Sequence, residues 1–108
     1  MPDDEMVNKL LGFANRARRL TLGMHATLSG IQKKKICLVL LAKDLGKNSE
    51  SKIIHETPNV VPVYRFSSKE QLSRLFGRKD IGIVGIADQS FATPIKKILT
   101  DIESNLPE

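Results

Sequence analysis

The chain has a single cysteine in 108 residues, Cys37, so no internal disulfide can brace it. That thiol sits in the apolar run 36–42, Ile-Cys-Leu-Val-Leu-Leu-Ala, and reads as a small buried hydrophobe. Histidine is almost as scarce. His25 and His55 stand in unrelated stretches, and neither has a cysteine or carboxylate at metal-ligand spacing on its own helix face. No nucleophile, base and orienting carboxylate come together in the sequence, and no glycine-rich phosphate loop is present. The turn Leu22-Gly23-Met24 supplies one glycine where nucleotide fingerprints need several. No apolar run approaches the roughly 18 residues of a membrane span. The opening Met1-Pro2-Asp3-Asp4-Glu5 is acidic where a secretory signal would be basic. The expectation is a cytoplasmic protein with no catalytic residues, no metal, no cofactor and no membrane contact.

Positive charge is what the chain has in excess. The formal net charge is +5, but the middle of the chain is more basic than that. All seventeen Lys and Arg lie between residues 6 and 100, together with only six of the twelve acids, so this body carries an excess of eleven positive charges. A body this basic is the electrostatic footprint of a polyanion binder, and nucleic acid is the commonest such partner. With 41% apolar and 27% charged residues, the composition is that of an ordinary globular domain. Its length suits one core, a single domain over 1–108.

The hydrophobic spacing predicts helices over 5–18 (Met6, Leu10, Phe13 and Ala17, widened by Val7, Leu11 and Ala14) and over 24–34. The runs 36–42, 60–66 and 81–87 read as strands, and 20–22 as a very short strand or an extended link. Pro62 removes a ladder donor and so points its strand toward a sheet edge. A third helix is expected over 49–56, with Ile53 and Ile54 inward. A fourth is capped by Ser67 or Ser68 and closed by Gly77, with Leu72, Leu75 and Phe76 inward. The last carries Ile95, Ile98, Leu99 and Ile102, with Asp88, Ser90 or Thr93 as its cap; Pro94, comfortable in a first turn, favours Thr93. This alternation gives an α/β fold, a three-layer α/β/α sandwich around a small mixed sheet of three to four strands.

The most informative stretch is 16–35. It opens with Arg16, Arg18 and Arg19, turns at Gly23 and closes on Lys33, Lys34 and Lys35. Within it Met24, Thr27, Leu28 and Ile31 form one apolar helical stripe, while His25, Ser29 and Gln32 face the other way. A helix that starts directly after a glycine aims its free N–H groups and positive dipole end outward, toward an anion. Three groups make the candidate binding face: the Gly23 turn with His25, Ala26, Thr27, Ser29 and Gln32; the turn Arg78-Lys79; and Lys33, Lys34 and Lys35 with Lys43. Loops at one end of a sheet come together in such a sandwich, but periodicity does not say which of these three meet.

Leu10-Leu11-Gly12-Phe13-Ala14 with Arg18, the turn Leu22-Gly23, Leu38 to Ala42 followed by Asp44, Val61-Pro62-Val63, Ser68 to Leu72, Phe76-Gly77, and Val84 to Asp88 with Phe91-Ala92 occur in one order over about ninety residues. In that order and spacing the chain resembles the kink-turn RNA-binding ribosomal proteins of the L-seven-Ae and L-thirty-e type, most of all their short bacterial YlxQ-type members. The resemblance implies an α/β/α sandwich and a partner in RNA or the ribosome. It also implies a helix, following the glycine, that enters the widened groove of a kinked RNA and reads sheared G·A pairs. An A-form groove otherwise excludes side chains. The family pattern there is Gly-x-Asn-Glu with a lysine three residues on; this chain has Gly23, Met24, His25, Ala26 and then Ser29. The second RNA-contacting loop falls by resemblance on Gly77-Arg78-Lys79-Asp80-Ile81, which is basic. The expected function is that of a monomeric RNA-binding protein of the translation machinery. The alternative is a protein-interaction module that keeps the fold and has lost the Asn-Glu-Lys readout.

Overall fold

In the computed structural model, which describes residues 2–104, the chain runs α1 (Pro2–Arg16), β1 (Leu20–Leu22), α2 (Met24–Gln32), β2 (Leu38–Leu41), α3 (Lys47–Glu56), β3 (Val63–Arg65), α4 (Lys69–Phe76), β4 (Ile83–Ile86) and α5 (Gln89–Ser104). The strands form one mixed sheet in the order β1-β4-β2-β3. β4 runs antiparallel to both β1 and β2, and β3 runs parallel to β2. The two central strands are buried along their whole length, as near-continuous apolar runs must be when helices cover both faces. On one face Leu38, Leu40, Val84 and Ile86 meet Val7 and Leu11 of α1, Leu72 of α4 and Ile95 of α5. On the other, Val39, Leu41 and Ile83 meet Ile31 of α2 and Ile53 of α3. The expected three layers are there, and 20–22 is a strand.

Several local expectations shift. The third strand is three residues long rather than seven, and Val60 stands 89% exposed ahead of it. Pro62 has no N–H to give, but its carbonyl accepts from the Val39 N–H at 3.0 Å, and β3 is an edge strand as the proline requires. α1 buries Val7, Leu11 and Ala14, whereas Met6 and Phe13 lie on its flank, half exposed. The Phe13 ring instead carries the Arg16 guanidinium 4.9 Å from its centroid. Ile53 is buried and Ile54 exposed, because neighbours on a helix diverge by about 100° and cannot share one face. Leu75, one turn beyond the fully buried Leu72 and about 60° round the helix from it, sits at the margin of the stripe and stays 38% exposed.

Helix ends follow the side chains available to them. Ser68 caps α4 by accepting the Gln71 N–H at 3.1 Å, and the Gln71 side chain turns to the Ser67 hydroxyl at 2.6 Å. Gly77 closes the helix in the left-handed region. α5 starts at Gln89 and carries Pro94 inside, so Thr93 is not its cap. Asp88 serves instead: its carboxylate accepts the Ser90 N–H at 2.8 Å and its carbonyl the Ala92 N–H at 2.9 Å. These contacts anchor a full turn ahead of the proline. The Ile102 side chain lies outside the described residues.

α2 sits close on the sheet. A methyl group at Gly30 would come within 2.7 Å of Ile36 Cδ1 and 2.9 Å of Cγ1, and one at Gly85 would overlap the Thr21 hydroxyl and crowd Thr27. The glycine inside this helix is therefore a packing residue. Thr21 and Thr27 share a hydrogen bond of 2.9 Å in the space the two glycines leave.

Candidate nucleic-acid interface

The register decides which turns meet. Leu22 lies beside Val84, and Ile83 beside Leu41, which in turn lies beside Arg65. The C-terminal ends of β1, β2 and β3 thus share one end of the sheet with the start of β4. Four connections emerge there: the Gly23 turn into α2, the loop 42–46 into α3, Phe66–Ser68 into α4, and the segment 77–82 arriving from α4.

Each connection is fixed by backbone contacts. Gly23 has φ 90° and ψ 172°, a region glycine occupies almost alone, and its N–H donates to the Ile83 carbonyl at 2.8 Å. The 42–46 loop is tied to the next connection twice. The Lys43 N–H donates to the Ser67 carbonyl at 2.9 Å, and the Asp44 carboxylate accepts the Lys69 N–H at 2.8 Å. The Ser73 hydroxyl accepts the Ile81 N–H at 2.9 Å and holds the last segment in place. Between them lies a hollow of about 230 Å³ bordered by Gly23, Leu45, Ser49, Lys69, Asp80 and Gly82.

The electrostatics of this end are positive. α2 and α3 both begin after a glycine, Gly23 and Gly46, with no side-chain cap on their first N–H groups. Two positive dipole ends therefore face the same solvent. Lys43, Lys47, Lys69, Arg78 and Lys79 are exposed around them. His25 and Ala26 are exposed on the first turn of α2, Ser29 is half-buried one turn on, and Gln32 is exposed at its far end.

Two expectations change. Thr27 is fully buried, its hydroxyl bonded to Thr21, so it holds α2 on the sheet and presents nothing to a ligand. Lys33, Lys34 and Lys35 follow the C-terminus of α2, at the opposite end of the sheet from Lys43. The seven residues between Lys35 and Lys43 carry the chain along β2 from one end of the sheet to the other, eight steps of about 3.3 Å, or about 25 Å. Lys43 joins the Gly23 turn and the 77–82 segment; the triple lysine does not. Lys47 and Lys69 are the additions. Spacing could not find them, because each is an isolated lysine at the first position of a helix whose start comes to this end only through β-pairing.

Among the described residues no group of His, Cys, Asp and Glu is placed to hold a metal ion. Burial lifts the half-buried Cys37 thiol above its ordinary value, and the nearby Asp88 carboxylate adds to the lift, so the thiol is a poor nucleophile. No described helix is long and apolar enough to cross a membrane.

Residues 5–94 match the ribosomal protein L7Ae/L30e/S12e/Gadd45 family. An RNA-binding protein YlxQ of Bacillus subtilis (strain 168) is 32% identical over 91 residues, which cover 83% of this chain and 91% of that protein. An RNA-binding protein YlxQ of Enterococcus faecium is 29% identical over the same length, covering 83% and 87%. Among solved structures, a protein of unknown function from Bacillus halodurans C superposes with a TM-score of 0.80 at 25% identity, over 87% of this chain and 96% of its own. A 15.5 kD RNA-binding protein of Giardia lamblia superposes with a TM-score of 0.71 at 19% identity, over 94% and 88%, a likeness of fold. With the match spanning most of its length and the fold agreeing, the chain belongs to the ribosomal protein L7Ae/L30e/S12e/Gadd45 family.

Proposed function

We propose that this protein is a non-enzymatic RNA-binding protein of the translation machinery, that it takes structured RNA at the Gly23 end of the sheet, and that it prefers a kinked RNA to a straight duplex. One observation carries the reading: two uncapped helix N-termini and five exposed cations, Lys43, Lys47, Lys69, Arg78 and Lys79, converge on one end of the sheet. The names of the two YlxQ relatives support it.

The chemistry of contact follows from what is there and what is missing. The cations and the free N–H groups of α2 take phosphates. His25 and Ser29, on the outward face of α2, approach bases and sugars, with Gln32 at the margin. No carboxylate follows Gly23, so the amino edge of guanine has no charged acceptor. Selectivity then rests on shape: a kink opens the groove enough for the start of α2 to enter, and a straight A-form helix does not. If each of the five cations neutralises one phosphate, log K falls against log salt with a slope of about 3.5 to 4.5.

The test is a titration of a kink-turn RNA and a straight duplex of equal length across a salt series. The expected result is tighter binding to the kink-turn, weakened by His25→Ala and by Arg78→Glu, with the latter also lowering the slope by about one. Equal binding of the two RNAs would remove the kink preference. Salt-insensitive binding, or none, would favour a protein partner on this face. Ribosome association is tested by co-sedimentation of the purified protein with ribosomal particles at low and high salt, where retention at low salt only is expected.

A further inference from the structure

The chain ends three helices in the same way and fills the critical position differently. At the end of α4, Gly77 has φ 63°, its N–H donates to the Arg74 carbonyl at 3.3 Å, and the Arg78 N–H donates to the Ser73 carbonyl at 2.9 Å. This is the ordinary left-handed helix stop with its ordinary residue. α1 stops identically at Arg18, φ 60°, with the Arg18 N–H on the Asn15 carbonyl at 3.0 Å and the Arg19 N–H on the Ala14 carbonyl at 2.8 Å. α2 stops identically at Lys34, φ 58°, with the Lys34 N–H on the Ile31 carbonyl at 3.0 Å and the Lys35 N–H on the Gly30 carbonyl at 2.9 Å. Long cationic side chains thus occupy two positions where a side chain is disfavoured.

Both stops lie at the end of the sheet away from Gly23. The Ala87 N–H donates to the Arg19 carbonyl at 2.8 Å and the Cys37 N–H to the Ile86 carbonyl at 2.7 Å, so the chain leaving each stop enters the sheet at this same end, two strand spacings apart, about 10 Å. Arg18, Arg19, Lys33, Lys34 and Lys35 are all exposed there. Among the described residues Arg19 meets the Asp88 carboxylate at 3.6 Å, while Arg18 and the three lysines make no ion pair. The helix dipole accounts for a cation in each last turn; it does not account for five, two of them at left-handed positions.

We propose that this second end is a phosphate-binding surface for RNA, engaging the backbone of a segment other than the one at the Gly23 end, without reading its sequence. The proposal rests on the RNA-binding reading above for the identity of its polyanion. The two ends lie about 25 Å apart on opposite rims of the sheet, so one molecule holds two RNA segments, or two arms of one RNA.

The experiment measures affinity of the full chain for a straight ten-base-pair RNA duplex, across a salt series and at saturation for stoichiometry. Lys33→Gln/Lys34→Gln/Lys35→Gln should lower the slope of log K against log salt by about 2 to 3 and reduce the bound duplexes from two to one. Lys34→Gly separates folding from binding: it should raise the melting temperature, since glycine suits the position, while lowering the slope by about one. Unchanged slope and stoichiometry in these variants would overturn the proposal. So would equally tight binding of the wild-type surface to phosphatidylserine vesicles or polyglutamate at matched salt. The Gly23-end reading fails independently: Lys43→Glu/Arg78→Glu/Lys79→Glu should abolish kink-turn preference yet leave one duplex bound. If it keeps the preference, that reading falls and the second surface stands on its own slope.

Discussion

Gly30→Ala opposes two effects whose sizes the structure sets. Alanine in place of glycine inside a helix contributes about 1 kcal/mol of stability by propensity alone. Here the added methyl would lie 2.7 and 2.9 Å from Ile36 Cδ1 and Cγ1, closer than packed carbons come. Ile36 has little room to retreat, because its Cδ1 lies 3.0 Å from where a methyl on Gly85 would stand and the residue is only 6% exposed. Overpacking of this kind costs about 1–3 kcal/mol. The balance is a net loss of about 1 kcal/mol, a fall in melting temperature of roughly 4–8 °C for a domain this size. Ile36→Ala alone should cost about 2–5 kcal/mol. In that background the new methyl at position 30 has space, so Gly30→Ala should become stabilising by about 1 kcal/mol. The resulting coupling is about 2 kcal/mol, readable from a double-mutant cycle by thermal or urea unfolding. A rise in melting temperature for Gly30→Ala in the wild-type background, with no coupling to position 36, would refute the close seat of α2. Because that seat aims the first turn of α2, the folded Gly30→Ala protein should also show a weaker kink-turn preference.

Gly23→Ala should cost about 1–3 kcal/mol through backbone strain alone, since φ 90° with ψ 172° excludes a side chain while the space beside the glycine is open; urea unfolding measures the loss, and RNA titration should show affinity falling with it. Thr27→Val should cost about 1–2 kcal/mol by leaving Thr21 without its partner. Adding Thr21→Val should return most of that, and RNA affinity measured on folded protein should not change in either variant; a selective loss of affinity would put Thr27 back on the binding face. Cys37, held protonated by burial and then by Asp88, should react with a thiol reagent only at a higher pH than the unfolded chain does. The native state keeps a proton that the unfolded state releases, so the Cys37 contribution to stability should fall as pH rises above the ordinary value of 9.0, and Cys37→Ala should remove that dependence.

Much of the fold is legible in the residues because the responsible forces are local. The apolar runs 36–42 and 81–87 announce strands, of which 38–41 and 83–86 pair in the sheet; Ser67 or Ser68 announces a helix start, and Gly77 its stop. Where two local signals compete, tertiary contacts decide. Pro94 favours a late start for α5, yet the Asp88 carboxylate and carbonyl fix the first turn five residues earlier. Periodicity finds the stripe of α1 but not its centre, since Met6 and Val7 differ by one position and only packing against the sheet chooses between them.

By itself, then, the sequence determined that this is one basic α/β domain without the parts of an enzyme, and that a helix opens at Gly23 with its N–H groups free. Composition and short-range sterics act within a few residues, so those conclusions need no neighbours. Only the tertiary structure decided which charges act together. Antiparallel pairing of β4 with β1 and β2, and parallel pairing of β3 with β2, bring Lys43, Lys47, Lys69 and the 77–82 segment to the Gly23 end, and send the lysines that directly follow α2 to the other. It also decided between the two places the sequence allows Thr27, the inward stripe and the binding face, in favour of a buried hydrogen bond to Thr21. Surface charge has no periodicity to betray its position; strand pairing alone assigns it to one end of the sheet or the other.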